Sequence, residues 1–202
     1  GAIAKYSEAL NLNPEYAEAR VRRGILYQVA GKHSLALFDL ERARIKLPRD
    51  QQLIDALMNS YYALGKYDEF FAATREMMKH HPERVDVLYK RGLAFFEQGK
   101  YDDAIDAFSL MSEVYPDDAE TQYQLGNCYH QKGDFPSALF HFSQAAQASP
   151  PHAAAQFNMA VAYYENGKKA KACELWTIQS GTNHKFREQA AESLKLFCGA
   201  DN

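Results

Sequence analysis

The 202-residue sequence has no apolar run approaching the eighteen or so residues that cross a bilayer. Its N-terminus also lacks the basic, apolar and small-residue segments of a signal peptide. No membrane partner is therefore expected. Nowhere do polar and apolar residues alternate as in a half-buried strand. The three cysteines, Cys128, Cys173 and Cys198, are too few and too widely spaced for a disulfide framework or a C-x-x-C zinc site. They read as reduced, mostly buried thiols, which favours a reducing, cytoplasmic compartment. Charge of one sign is missing too: 26 acidic against 23 basic residues give a net charge of -3, without the positive field that nucleic acid demands. Glycine-rich phosphate loops, H-E-x-x-H and G-x-S-x-G are absent, so neither an enzyme nor a cofactor is expected. His80 and His81 diverge at a helix end, and Cys128 and His130 point to opposite sides, so no metal site is expected either.

What the sequence does contain is a ruler. Pro14, Pro48, Pro82, Pro116 and Pro150 stand 34 residues apart, and so do Gly31, Gly65, Gly99, Gly133 and Gly167. Each glycine precedes a proline by 17 residues, so each unit has two segments of similar length. Apolar residues recur at helical spacing between the marks, as in Leu88, Gly92 and Phe95. Every unit is thus a helical hairpin, relaxed by glycine at its turn and closed by proline. Ahead of four of the glycines stand paired rings or ring equivalents, as in "YYALGKYDEF", "FFEQGKYDDA", "YHQKGDFPSA" and "YYENGKKAKA". Neighbours on a helix point about 100° apart, so the two cannot share a surface. The first of each pair, with Tyr27, Tyr61, Phe95, Tyr129 and Tyr163 in line, is expected in the core.

A 34-residue period with a small residue at position eight, an aromatic at eleven, alanine at twenty and proline near the end resembles the tetratricopeptide-repeat family. The resemblance implies an all-α fold, a right-handed α-α superhelix or solenoid, and a non-enzymatic interaction scaffold. Five units fit: 17–50, 51–84, 85–118, 119–152 and 153–186. Residues 1–16 form the second helix of an incomplete repeat, and 187–202 a capping helix and tail. The missing partner of the first helix favours a trimmed chain over a boundary occupied by a neighbouring domain or a second copy. In unit 51–84, Met58 and Phe70 replace the family's small residues, so a local change of pitch is expected. His184 replaces the last proline, after a helix stop at Gly181. Arg20 and Arg23 occupy usually apolar positions, which suggests a wet face or a lost neighbour there.

By the same resemblance, the second, fifth, ninth and twelfth positions of each first helix face a concave groove. They align Gln28, Tyr62, Phe96, His130 and Tyr164 in one row and Val21, Asp55, Tyr89, Tyr123 and Phe157 in another. A third row holds Asn59 and Asn127, flanked by Arg22, Lys90, Gln124 and Asn158 at position six. The resemblance implies that Asn127 and Asn158 hold a ligand main chain, since an amide donates and accepts at once. Tyr123, Glu188 and Glu192 stand where a terminal carboxylate would be clamped, so that ligand is disfavoured. Acids on the stripe (Glu18, Asp55, Asp86, Glu97, Glu120 and Glu165) oppose Arg22 and Lys90. The expected partner is a protein or peptide with apolar anchors and some basic residues. The rings could instead brace the superhelix by stacking across units. Two other roles stay open: a self-assembling or architectural subunit using the N-terminal end, and, from "YQLGNCYHQKGDFPSALF", a secretion-chaperone-like binder of apolar segments.

Overall fold

A computed structural model describes residues 1–148, 152–181 and 185–199, so Pro150, Pro151 and His184 lie outside the described residues. The described chain holds twelve α-helices: α1 (Ala2–Leu12), α2 (Ala17–Val29), α3 (His33–Arg44), α4 (Gln51–Ala63), α5 (Tyr67–His80), α6 (Asp86–Glu97), α7 (Tyr101–Val114), α8 (Ala119–Gln131), α9 (Phe135–Gln147), α10 (Ala153–Glu165), α11 (Lys169–Gly181) and α12 (Arg187–Ser193). A π-helical turn, Leu194–Cys198, follows α12. The chain divides into two units, Gly1–Val87 and Leu88–Asn202.

The glycine ruler marks one turn repeated five times. Gly31, Gly65, Gly99, Gly133 and Gly167 all have φ between 67° and 75°, a region that a side chain penalises. Around each, two backbone bonds close the helix end: Gly65 N–H donates to the Tyr62 carbonyl at 3.0 Å and Lys66 N–H to the Tyr61 carbonyl at 2.9 Å. The same pair recurs at Tyr27 and Gln28, Phe95 and Phe96, Tyr129 and His130, and Tyr163 and Tyr164. The paired residues that precede each glycine thus supply both turn-closing carbonyls. The helices that follow the proline ruler start on side-chain caps. Asp50 accepts from Leu53 N–H at 2.7 Å, Asp118 from Thr121 N–H at 2.8 Å and His152 from Ala155 N–H at 3.2 Å.

Position eight works together with position twenty-four. A methyl group on Gly92 would lie 2.5 Å from Phe108, and one on Gly126 2.5 Å from Phe142, so each glycine is a socket for a fully buried ring. Each ring removed from water contributes about 1.5–3 kcal/mol. Trp176 takes the same place over the small Ala160 in the last hairpin. In α4–α5 the sizes are exchanged. Met58 and Phe70 are fully buried, and the position that elsewhere holds Leu40, Phe108, Phe142 or Trp176 is the small Thr74, also fully buried. Volume lost at one position is restored at two others, a compensation that reading Met58 and Phe70 alone does not reveal.

The first ring of each pair lies at the margin of the core, with Tyr61, at 5% exposure, the one that is buried. Tyr27, Phe95, Tyr129 and Tyr163 are half-buried. Their outer sides meet polar neighbours: Arg91 lies 5.6 Å from the Phe95 ring centre, and His141 stacks on Tyr129 at 5.3 Å. Tyr61 donates to Glu41 at 3.2 Å; burial, then Glu41, pushes its phenol up to about 12.

Arg20 and Arg23 have a partner that the sequence reading missed. Asp39 on α3 is 1% exposed and accepts two 2.7 Å bonds from Arg23 and one of 3.3 Å from Arg20. Arg23 also donates to Ser7 on α1 at 3.0 Å, and Arg20 to the Pro14 carbonyl at 2.8 Å. The two arginines therefore bind α1, α2 and α3 together around one buried carboxylate.

The expectation of three reduced cysteines fails. Cys173 on α11 and Cys198 in the π-helical turn form a disulfide across 25 residues, with Cα atoms 5.9 Å apart. Closing a loop of that length removes about 3–4 kcal/mol of unfolded-chain entropy. Cys128 is the free cysteine; it is buried, and burial pushes its thiol up to about 12. Sequence separation hid the pair, because α12 folds back on α11 through Ala190, packed with Ala160, Ala172 and Trp176.

Candidate functional site

The groove positions of the first unit carry charge. Arg22 on α2 and Asn59 on α4 are exposed. Asp55 takes a two-pronged ion pair from Arg84, in the segment before α6, at 2.9 and 3.0 Å. The same guanidinium donates to Asp86 at 2.7 and 2.8 Å. Two of the acids read as ligand-facing are thus neutralised by a residue that the sequence reading left out. Tyr62 is half-buried, with Phe70 5.6 Å away and Tyr67 meeting it edge-on at 6.3 Å.

In the second unit the twelfth-position groups follow the Tyr62 rule. Phe96 meets Tyr101 at 5.5 Å and His130 meets Phe135 at 5.8 Å, each edge-on. The partner is the first residue of the following helix in both cases. These groups brace their own hairpin turn and do not simply stack from unit to unit. His130 Nε2 lies 2.7 Å from Glu165, a further groove acid with an internal neighbour. Lys90 on α6 is half-buried.

Around α8 and α10 the predicted residues converge on a closed polar ring. Glu120 Oε1 accepts from Tyr89 at 2.9 Å and from Gln124 at 2.8 Å, while its Oε2 lies 3.0 Å from His152 Nε2. Asn127 donates to Gln124 at 3.3 Å; Asn158 donates to Asn127 at 3.1 Å and to the Tyr123 hydroxyl at 3.3 Å. Tyr123 stacks on His152 at 4.3 Å, which closes the ring. Because His152 Nδ1 accepts the cap bond from Ala155, the neutral imidazole carries its proton on Nε2, aimed at Glu120. Burial opposes charge on Glu120, but the hydrogen bonds from Gln124, Tyr89 and His152 outweigh it and hold the carboxyl below its usual range. For Tyr89 the order is the same and the direction opposite: burial, then Glu120, raises its phenol.

Position five has a built-in cover 29 residues further on. Arg84 grips Asp55, His152 stacks on Tyr123, and Phe186 stacks on Phe157 at 5.4 Å and 19°. Tyr89 differs. Its counterpart is Asp118, whose carboxylate caps α8, and its ring partner among the described residues is Phe108, at 5.6 Å. Tyr164 is covered by the C-terminal segment, 4.7 Å from Phe197 and 5.9 Å from Trp176. The signal for these covers lay in the sequence as a second column, Arg84, Asp118, His152 and Phe186, matched residue for residue to the first. Among the described residues no group of three or more side chains could hold a metal ion, and no helix is long and apolar enough to cross a membrane.

A sequence profile described as tetratricopeptide repeat matches residues 56–113, 89–152 and 123–176, together more than half of the chain. The chain belongs to the tetratricopeptide-repeat family. It is an all-α helical-repeat solenoid, and its family is one of protein-interaction scaffolds. Solved tetratricopeptide-repeat structures share the fold. YrrB, described as having an unusual peptide-binding site, gives a TM-score of 0.72 at 21% identity, over 95% of this chain and 98% of its own. MamA, from residue 41 to its end, from Desulfovibrio magneticus RS-1 gives 0.74 at 16% identity, over 92% and 97%. A repeat protein from Parabacteroides merdae ATCC 43184 gives 0.71 at 17% identity, over 99% and 86%. No curated protein matches the chain at a significant level.

Proposed function

We propose that this tetratricopeptide-repeat chain is a non-enzymatic adaptor that binds a peptide segment of a partner protein on α6, α8 and α10. The observation that carries the reading is the closed polar ring. Asn127 and Asn158 are positioned before any ligand arrives, each by another amide or a hydroxyl, so binding need not order them. Both nitrogen protons engaged on Asn158 leave its Oδ1 as an acceptor for a peptide N–H, and Asn127 keeps a donor for a peptide carbonyl. Beside them Tyr89 offers a ring without a stacked cover, next to the ionised Glu120, which is 46% exposed in its side chain. That corner suits a lysine or arginine of the partner, while the half-buried rings of Tyr123 and Phe96 suit apolar anchors. The peptide-binding site named for YrrB supports the same kind of ligand.

The test is affinity capture from native extract with the wild type and a variant carrying Tyr89→Ala, Tyr123→Ala and Asn127→Ala, followed by titration of the captured peptide. Affinity is expected to fall about tenfold or more, with the helical signal retained. A partner bound equally by both proteins places the interaction elsewhere and sinks the reading.

A further inference from the structure

We propose that the Cys173–Cys198 disulfide is a redox-operated latch that holds the C-terminal segment over Phe157 and Tyr164, the last two ring positions of the row. The covering contacts all come from that segment: Phe186 lies on Phe157, and Phe197, next to Cys198, lies against Tyr164 and 5.9 Å from Trp176. Little else anchors it. Ala190 is the buried residue of α12, and the π-helical turn has none. Phe197 is 38% exposed. A short terminal segment with so little buried surface undocks readily once its covalent tie is cut. The disulfide is also within reach, since both cysteines are only half-buried, in contrast to Cys128.

The reductant is a dithiol. One of its thiolates attacks a sulfur of the bridge and displaces the other cysteine as a thiolate; its second thiol then resolves the mixed disulfide. Two electrons and two protons pass to Cys173 and Cys198, and the dithiol leaves as a cyclic disulfide. With the segment released, the two rings it covered join those of the preceding repeats. The oxidised chain thus presents a shorter row and the reduced chain a longer one. The significance of that length rests on the proposed peptide reading, but the latch itself does not.

The experiment uses the full chain with and without dithiothreitol, a dithiol. Thiol titration under denaturant is expected to find one free thiol before reduction and three after. Trp176 is the one tryptophan in the chain and is 1% exposed. Its quenching by acrylamide is expected to rise about threefold or more on reduction. Trypsin is expected to gain cleavage at Arg187 and Lys195, while far-UV circular dichroism keeps the signal of α1–α11. Cys198→Ser is expected to show the reduced behaviour without reductant. Three free thiols at the outset, unchanged quenching on reduction, or loss of the whole helical signal would each overturn the latch. A failed peptide titration would leave all of these readouts untouched, so the two ideas fail separately.

Discussion

The unit Gly1–Val87 and the unit Leu88–Asn202 use the same 29-residue slot with opposite chemistry. In the first, position five is an aspartate and its cover an arginine; in the second, Tyr123 and Phe157 are covered by an imidazole and a phenyl ring. The first hairpin also turns on a buried carboxylate between two arginines, where the later ones turn on a ring in a glycine socket. The repeat therefore fixes where two side chains meet and leaves open what they are. Charge pairs suit the first unit as internal ties, and only the second unit combines a neutral hydrogen-bonded ring with an uncovered tyrosine.

The comparison breaks most visibly at Asp39. Asp39→Ala leaves two guanidinium groups that keep only Ser7 and the Pro14 carbonyl, and is expected to cost about 3–5 kcal/mol in urea unfolding followed by circular dichroism. Gly126→Ala tests the ring-based hairpins. Alanine normally favours a helix interior by about 1 kcal/mol over glycine, but here its methyl meets Phe142 at 2.5 Å, so a net loss of about 1–3 kcal/mol is expected. Adding Phe142→Leu is expected to make the alanine less costly, and a double-mutant cycle with no coupling would show that the socket is not a packing unit.

Glu120→Gln sharpens the comparison by the smallest effect. Glu120 titrates lower in the folded chain than in the unfolded one, so its contribution is present above the ordinary glutamate range, near ~4.3, and is lost as pH falls through the folded value. With the side chain 46% exposed, the wild type is expected to lead the variant by about 1 kcal/mol or less at pH 7. The lead should shrink to nothing in acid, as thermal melts from pH 7 to pH 3 would show.

The fold was legible because its punctuation is local. A glycine at φ near 70° and a capping aspartate announce themselves within four residues. Candidate site residues were legible as columns, and Tyr89, Tyr123, Gln124, Asn127 and Asn158 do converge. What the columns hid was their partners. Arg84 and Phe186 lie in connecting segments, where helical periodicity carries no information, so two groove residues were read as open that are occupied. Compensation hid in the same way: Met58 is an oversize residue until Thr74 is read with it. The disulfide joins a repeat to a segment beyond the last repeat, where the 34-residue register gives no alignment.

The bonds that tie one hairpin to the next span a narrow range of sequence, from 28 residues between Gln28 and Ala56 to 35 between Asn158 and Tyr123. Each interaction is therefore completed within about one period and refers to nothing further away. A duplication or deletion of 34 residues inside the array returns every slot to a position-five residue and a cover, whichever pair it happens to be. Evolution can then lengthen the chain by copying and retune its surface one pair at a time, with the connecting segments serving as the variable text.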